Sequence, residues 1–396
     1  MSSTENRCYT LTKRALIVHA LFDVIGGGEL LALRVAHALT EAGFEVEVLT
    51  STPVSSEKLY NVFGELKLPR ITVKRVREAE FLSEIMPGRL VRLRRLVVYR
   101  KYMPIINRAR REYDLVFDTQ SNVPTPADIA YIHYPAVLEV ASIQRRGVHW
   151  RIYNYLVKLI ARNPRSGRVL TNSTWTANQV YKAHGVIADV LYPPVDVEYF
   201  SEVSYSGERE DIIVTVSRFT PEKELSKLLV LASELKDYRF VIAGTTGPGS
   251  ERVLEELRAE KETHGLVNVE FKPDISRREL RELYSRAKFY LHPEFPEHFG
   301  IAVVEAMAAG LVPIVYRDGG AWYDVVSRVS ELLGYSNISE VPGIIRRLEE
   351  DKVIYSKLRE RGIMLAKSFN YENFKKSLLE KVNYVLKVKR LGDSSA

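Results

Sequence analysis

One cysteine, Cys8, stands in 396 residues, so no internal disulfide holds this chain together, a usage that fits a reducing compartment. No uninterrupted apolar stretch approaches the roughly 20 residues that cross a bilayer. The polar opening Met1-Ser2-Ser3-Thr4-Glu5-Asn6-Arg7 lacks the pattern of a secretory leader, and a cytoplasmic location is expected. There is no D-x-D pair to hold a metal–diphosphate, no H-x-x-x-H and no cysteine cluster, so no metal site is expected. G-x-S-x-G is missing as well, which removes support for a hydrolase elbow. Internal repeats and low-complexity tracts are absent.

Negative charge is scarce in one half only. Residues 1–198 carry 27 Lys plus Arg against 19 Asp plus Glu, and residues 199–396 carry 30 against 31, so the first half holds the whole net charge of +7. Within it, residues 89–111 contain nine basic residues (Arg89, Arg92, Arg94, Arg95, Arg100, Lys101, Arg108, Arg110, Arg111) and no acid, interleaved with Leu90, Leu93, Leu96, Val97, Tyr99 and Ile105. A second acid-free stretch, residues 145–168, includes Trp150, Tyr153, Tyr155, Leu156 and Ile160. Basic, aromatic and aliphatic residues mixed at helical spacing suit a helix lying in an anionic headgroup layer. A solvated basic helix is the plainer explanation of either stretch alone. No recognition module accompanies the charge, so nucleic acid is not the expected partner.

With 46% hydrophobic and 27% charged residues, the chain is a soluble globular protein, long enough for two domains with substantial cores. Strands are expected at residues 15–19, 45–49, 71–76, 115–118, 129–133, 168–171 and 190–192, with a glycine turn, Gly26-Gly27-Gly28, leading into a helix over 29–41. Those glycines let a backbone approach a ligand closely, although they do not form G-x-G-x-x-G. The alternation restarts with strand 212–217, helix 222–236, strand 239–244, helix 251–263, strand 267–271 and helix 277–286. Two Rossmann-like units joined near 193–209 are therefore expected, and from residue 339 the pattern is almost wholly helical. The expected division is 1–198, 199–370 and a terminal helix over 371–396.

The segment from Glu297 to Gly310, EHFGIAVVEAMAAG, carries the chemistry. It lies between expected strands at 288–291 and 312–316, with a helix starting at Phe299-Gly300 and stopping at Gly310. Two glutamates on a helix are ordinarily a solvated face. A strand-to-helix turn in an α/β layer is instead where ligands bind. Glu297 would sit at the helix mouth and Glu305 more than a turn inside, with the N–H groups of His298, Phe299 and Gly300 free to meet phosphate or hydroxyl oxygens. Arg218 and Lys223 stand at the carboxyl end of strand 212–217, where two cations could clamp a diphosphate. His133 ends another strand in the first unit, a position as often structural as catalytic.

Several segments together resemble one family: Gly26-Gly27-Gly28-Glu29, Tyr131-Ile132-His133-Tyr134-Pro135, Asn172-Ser173-Thr174-Trp175-Thr176, Tyr192-Pro193-Pro194-Val195-Asp196, Arg218 with Pro221-Glu222-Lys223, the Glu297 to Gly310 segment, and Gly319-Gly320. The chain resembles the retaining GT-B glycosyltransferases of family 4 and, within them, the dolichol-pathway α-1,2-mannosyltransferases that use GDP-mannose.

The resemblance implies two Rossmann-like domains facing across a cleft, with a helical C-terminus that crosses back. It also implies a catalytic set of Glu297, His133, Arg218 and Lys223, and a donor-binding set of Gly27, Gly28, Arg218, Lys223, His298, Phe299, Gly300 and Glu305. In that reading Arg218 and Lys223 hold the diphosphate in place of a metal, Glu305 takes the ribose hydroxyls, and Glu297 meets the transferred sugar. No cofactor is implied beyond the nucleotide sugar. The implied partners are a polyprenyl-linked glycan acceptor and an anionic membrane surface docked through the first domain. Members usually carry an N-terminal membrane helix; this sequence shows none, which leaves a UDP-sugar with a soluble glycan as the enzyme alternative. A non-catalytic nucleotide-sugar-binding partner and a sugar-nucleotide epimerase are the readings from other classes.

Overall fold

The computed structural model describes residues 12–22, 26–51, 72–75, 91–141, 155, 167–204, 208–247 and 249–393. In the first unit, strands β1 (Arg14–Val18), β2 (Glu45–Thr50), β3 (Thr72–Arg75), β4 (Leu115–Asp118), β5 (Ile129–Ile132), β6 (Arg168–Thr171) and β7 (Asp189–Val190) form one sheet in the order β3-β2-β1-β4-β5-β6-β7. In the second, β8 (Glu210–Val216), β9 (Arg239–Gly244), β10 (Val269–Pro273), β11 (Ala287–Leu291), β12 (Val312–Tyr316) and β13 (Gly334–Tyr335) run β10-β9-β8-β11-β12-β13. Every pairing is parallel. Strands β4, β5 and β12 are buried along nearly their whole length, as expected for strands covered by helices on both faces. The expected two-unit fold is what the chain forms.

Each sheet reverses its strand order once, between β1 and β4 in the first and between β8 and β11 in the second. The crevice beyond the carboxyl ends of the strands at such a reversal is the ligand position in open parallel sheets. The glycine turn follows β1; Arg218 follows β8, and His292 and Glu297 follow β11.

The terminal helix Tyr371–Asp393 leaves the second unit. Its Phe374, Leu378, Val382 and Leu386, one per turn, enter the same core as Leu31, Val35, Leu39 and Phe117 of the first. Burying four such side chains is worth roughly 6–12 kcal/mol as an upper bound, enough to hold the helix there. The two crossings between units pair with each other, the Val195 N–H donating to the Phe369 carbonyl at 2.8 Å.

Some element bounds shift for local reasons. The expected helix over 222–236 is two pieces, a 3-10 turn Pro221–Lys223 and a helix Ser226–Glu234, because Glu224 between them takes a left-handed φ of 45°. The first helix begins inside the glycine run, at Gly27 rather than residue 29. On the other face of the sheet, the helix Val91–Glu112 carries much of the first basic stretch. Its Tyr102, Ile106 and Ala109 are buried and Ile105 packs against them, while Arg100, Lys101, Arg108 and Arg111 are exposed. From residue 100 onward the apolar side of this helix thus serves the core rather than a lipid layer, and its outward face is mostly charged. The second basic stretch lies outside the described residues except Tyr155, Gly167 and Arg168, and the side chains of residues 89–99 lie outside them too. Among the described residues no helix is long and apolar enough to cross a membrane.

Candidate active site

The second crevice is charged. Glu297 is the residue on which its polar contacts converge: Lys223 Nζ donates to Oε2 at 3.0 Å, His292 Nε2 lies 3.3 Å from the same oxygen, and the His298 N–H donates to Oε1 at 3.1 Å. Burial pushes the Glu297 carboxyl up, but the Lys223 charge and the contact with His292 outweigh it and hold the group well below the usual carboxylate range. Glu297 is therefore an anion at any physiological pH. Lys223 is fixed on its other side by the Phe295 ring, 4.3 Å from Nζ to the centroid. Arg218 is exposed at the end of β8. Beside it the Ser217 and Thr220 hydroxyls are buried with no hydrogen-bond partner among the described residues, so this loop carries two orphan donors next to two cations.

The helix mouth departs from expectation in one respect. The His298 N–H is not free for a ligand, since the preceding carboxylate takes it. Phe299 is 3% exposed, its ring packing against Tyr192 and Phe369 at the crossings. Only its backbone is available to a site. Glu305 is 8% exposed and accepts from Arg277 Nη1 at 3.3 Å. Burial raises its carboxyl, and the Arg277 charge works against that rise.

The first crevice is built from imidazoles and a helix end. His133 sits beside Gly28, where an added Cβ would lie 3.5 Å from Nε2. That nitrogen is 2.9 Å from the Thr119 carbonyl, which only accepts, so Nε2 carries the proton and Nδ1 is left as the acceptor. Burial lowers His133 to about 4, keeping the ring neutral near pH 7. Asn122, at φ 56°, accepts the His133 N–H at 2.9 Å. Glu29 turns back to cap its own helix, accepting the Gly26 N–H at 2.9 Å.

The two crevices face each other closely. An added Cβ on Gly27 would lie 2.9 Å from Ile301 Cδ1, so the glycine is what lets the first helix approach the mouth of helix Ile301–Ala308. The His298 ring stacks on Tyr134 of the first unit with centroids 4.4 Å apart and planes 4° apart, and Trp175 lies 5.9 Å from it. Ser173 Oγ donates to the His298 carbonyl at 2.6 Å. Gly320 makes room for that contact, since a Cβ there would sit 2.0 Å from the same carbonyl oxygen. Asp324, 2% exposed, caps the helix Thr174–His184 from the opposite unit, accepting from the Thr174 N–H at 2.8 Å, from its hydroxyl at 2.9 Å and from the Tyr192 hydroxyl at 3.0 Å.

Of the sequence-predicted residues, the fold gathers Lys223, Glu297, His298, Phe299 and Gly300 at one crevice with Arg218 at its edge. It sets Gly27, Gly28 and His133 at the other, and it gives Glu305 an arginine partner. Sequence reasoning missed His292, Phe295, Ser217, Thr220, Asp324 and Arg277. Only His292 and Ser217 had a readable signal, each following a buried strand of the doubly wound sheet.

Two family models divide the chain between them: Glycosyltransferase Family 4 matches residues 25–199 and Glycosyl transferases group 1 matches residues 197–365. The chain belongs to the GT-B glycosyltransferases. Its GT-B relatives include the "GDP-Man:Man(3)GlcNAc(2)-PP-Dol alpha-1,2-mannosyltransferase" of Dictyostelium discoideum, 26% identical over 71% of this chain and 63% of that protein. The protein of the same name from Homo sapiens is 26% identical over 65% of this chain and 61% of that one. The chain thus spans less than two thirds of the length of these relatives. Among solved structures, Anabaena Alr3699/HepE in complex with UDP and glucose shares the fold with a TM-score of 0.67 at 17% identity, over 94% of this chain and 100% of that one. WaaG, a glycosyltransferase involved in lipopolysaccharide biosynthesis, superposes with a TM-score of 0.66 at 15% identity, over 92% of this chain and 98% of that one.

Proposed function

We propose that this chain is a retaining mannosyltransferase that moves mannose from GDP-mannose to a polyprenyl-linked glycan. Residues 1–198 form its acceptor side, 199–370 its donor side, and 371–396 return to the first. The observation that carries the chemistry is the Lys223–Glu297 pair, 3.0 Å apart at the reversal of the second sheet. Donor and acceptor follow from what the curated relatives are named for.

In this reading the donor diphosphate lies against Arg218 and Lys223, with the Ser217 and Thr220 hydroxyls and the amides of Phe299 and Gly300 toward its oxygens and the sugar. As the bond from the anomeric carbon to the diphosphate breaks, negative charge grows on the leaving phosphate beside the two cations, and positive charge grows on the sugar beside Glu297. Fixed charges of the right sign at both ends favour that transition state over the ground state. The new glycosidic bond forms on the same face, and the acceptor hydroxyl proton passes to the departing phosphate oxygen. Gly27, Gly28 and neutral His133, with its Nδ1 acceptor, line the opposite wall. The exposed Arg100, Lys101, Arg108 and Arg111 of helix Val91–Glu112 hold the enzyme at the cytoplasmic face of an anionic membrane by charge, within reach of a lipid-linked acceptor.

Calorimetry with GDP-mannose, UDP-glucose and UDP-N-acetylglucosamine, in chelator, on wild type and Arg218→Ala tests the donor. Selective GDP-mannose binding that Arg218→Ala abolishes is expected. A preference for either UDP-sugar would move the chain to another branch of the fold. Sedimentation with anionic vesicles, lost at high salt, tests the docking.

A further inference from the structure

Four charges of alternating sign cross the boundary between the two units. Asp196, in the Pro193-Pro194-Val195-Asp196 crossing, accepts from two arginines of opposite units. Arg34 Nη2 of the first helix donates to Oδ1 at 2.7 Å, and Arg277 Nη2 of helix Arg277–Arg286 donates to Oδ2 at 2.7 Å. Arg277 gives its other arm, Nη1, to Glu305 Oε1 at 3.3 Å. The guanidinium is fixed from the side by the rings of Tyr199 and Phe200, 5.1 and 4.9 Å from its carbon to the centroids. Arg34 in turn lies 5.0 Å from the centroid of Tyr371, the first residue of the returning helix. Side chains in this chain are 11–25% exposed, so its charges are poorly screened.

The division of the Arg277 fork matters. A guanidinium facing one carboxylate closes on it with both arms and occupies both oxygens. Here Asp196 draws one arm away, so Arg277 spends a single hydrogen bond on Glu305 and its charge still supports the anionic form. Glu305 Oε2 is thereby left as an acceptor for a vicinal diol.

We propose that Asp196 and Arg277 are positioning residues for Glu305. Asp196 splits the Arg277 fork so that Glu305 keeps one oxygen for a nucleotide ribose, and Arg34 ties that arrangement to the alignment of the two domains. The inference rests on the reading that Glu305 receives the donor ribose.

The test compares the affinity of ribo- and 2′,3′-dideoxy-nucleoside diphosphates. GDP, UDP and ADP are used in parallel because all carry the same ribose, so the outcome does not depend on which base the enzyme prefers. Hydrogen bonds to a carboxylate give wild type about ten-fold or greater preference for the ribo form of its nucleotide. Asp196→Ala lets the fork close on Glu305, and the preference falls to about three-fold or less, as in Glu305→Gln. Binding of the dideoxy form, which depends on the diphosphate contacts, is unchanged. Asp196→Asn, which keeps the shape, shows the same loss in lesser degree, and Arg277→Lys does not restore wild-type behaviour because an ammonium has no fork to divide. Preference lost in Glu305→Gln but intact in Asp196→Ala and Arg277→Lys overturns the inference alone, as does equal weakening of ribo and dideoxy forms. No ribose preference in wild type for any of the three nucleotides overturns the ribose reading of Glu305 and the inference with it.

Discussion

The crevice after β1 and β4 and the crevice after β8 and β11 occupy equivalent places in two sheets of the same topology, yet they are electrostatic opposites. The first offers a helix end, a neutral imidazole held to about 4 and two carboxylates turned back on their own loops, Glu29 on the Gly26 N–H and Asp118 on the Gln120 and Ser121 N–H groups. The second offers Arg218, Lys223 and an obligate anion at Glu297. The fold supplies two ligand positions, and residue choice at the strand ends decides which binds by charge and which by shape and hydrogen bonding. A transferase needs that asymmetry. The side gripping the diphosphate must match charge that grows during the reaction, while the facing side must admit a sugar hydroxyl without a fixed charge competing for it.

The comparison breaks most visibly if the charged crevice is neutralised. Glu297→Gln keeps the shape and removes the anion, and kcat for transfer should fall by about 10²–10³-fold with a smaller change in donor KM. His133→Gln, the matching change on the neutral side, should cost far less in kcat. Similar losses of kcat from both substitutions would end the division of labour between the crevices.

Acidification sharpens the same contrast on the stability scale. Burial depresses His133 and His298 to about 4, so the folded chain resists protons that unfolded histidines accept near 6.5. Stability from this source is fully present above the unfolded value, is lost as pH falls from 6.5 toward 4, and changes no further below that. Each ring is expected to contribute about 1–3 kcal/mol across that window. His184, also lowered to about 4 by burial, lies at the far end of helix Thr174–His184. His184→Gln should flatten the pH dependence of urea midpoints as His133→Gln does, yet leave transfer unchanged.

What was legible from the chain follows from range. Strands β4, β6, β9 and β12 and the helix Arg277–Arg286 read with their observed bounds, because each is a contiguous apolar or periodic run. The helix expected over 222–236 did not hold, since one left-handed residue, Glu224, is invisible to periodicity. Glu297 and Lys223 could be named, but their direct pairing could not, because 74 residues separate them. Arg277 and Asp324 escaped notice for the same reason. Arg277 reaches Asp196 across 81 residues, and Asp324 reaches Thr174 across 150. Charged and polar side chains in surface-like patterns reveal a role only when the fold brings their partners near.

The contact between crevices can be loosened in two steps. Gly320→Ala places a Cβ against the His298 carbonyl, 2.0 Å away in the unrelaxed geometry, and either the loop from Glu297 to Gly300 or the Thr174–His184 helix must move. An overpacking cost of about 1–3 kcal/mol is expected in urea unfolding, together with weakened sugar transfer.

Ser173→Ala is gentler. It removes the 2.6 Å hydrogen bond to the His298 carbonyl and the hydroxyl that accepts the Thr176 N–H, while Asp324 still caps the same helix. Stability should fall by about 1 kcal/mol. Because the lost bond ends on the loop bearing Glu297, kcat should fall a few-fold while nucleotide affinity stays put, as follows from the proposed placement of the nucleotide on the second unit. Ser173→Thr retains the hydroxyl and should recover both values. If Ser173→Ala instead weakens GDP binding and leaves kcat unchanged, the first unit steadies the nucleotide pocket rather than the sugar end, and the partition between the crevices must be drawn elsewhere.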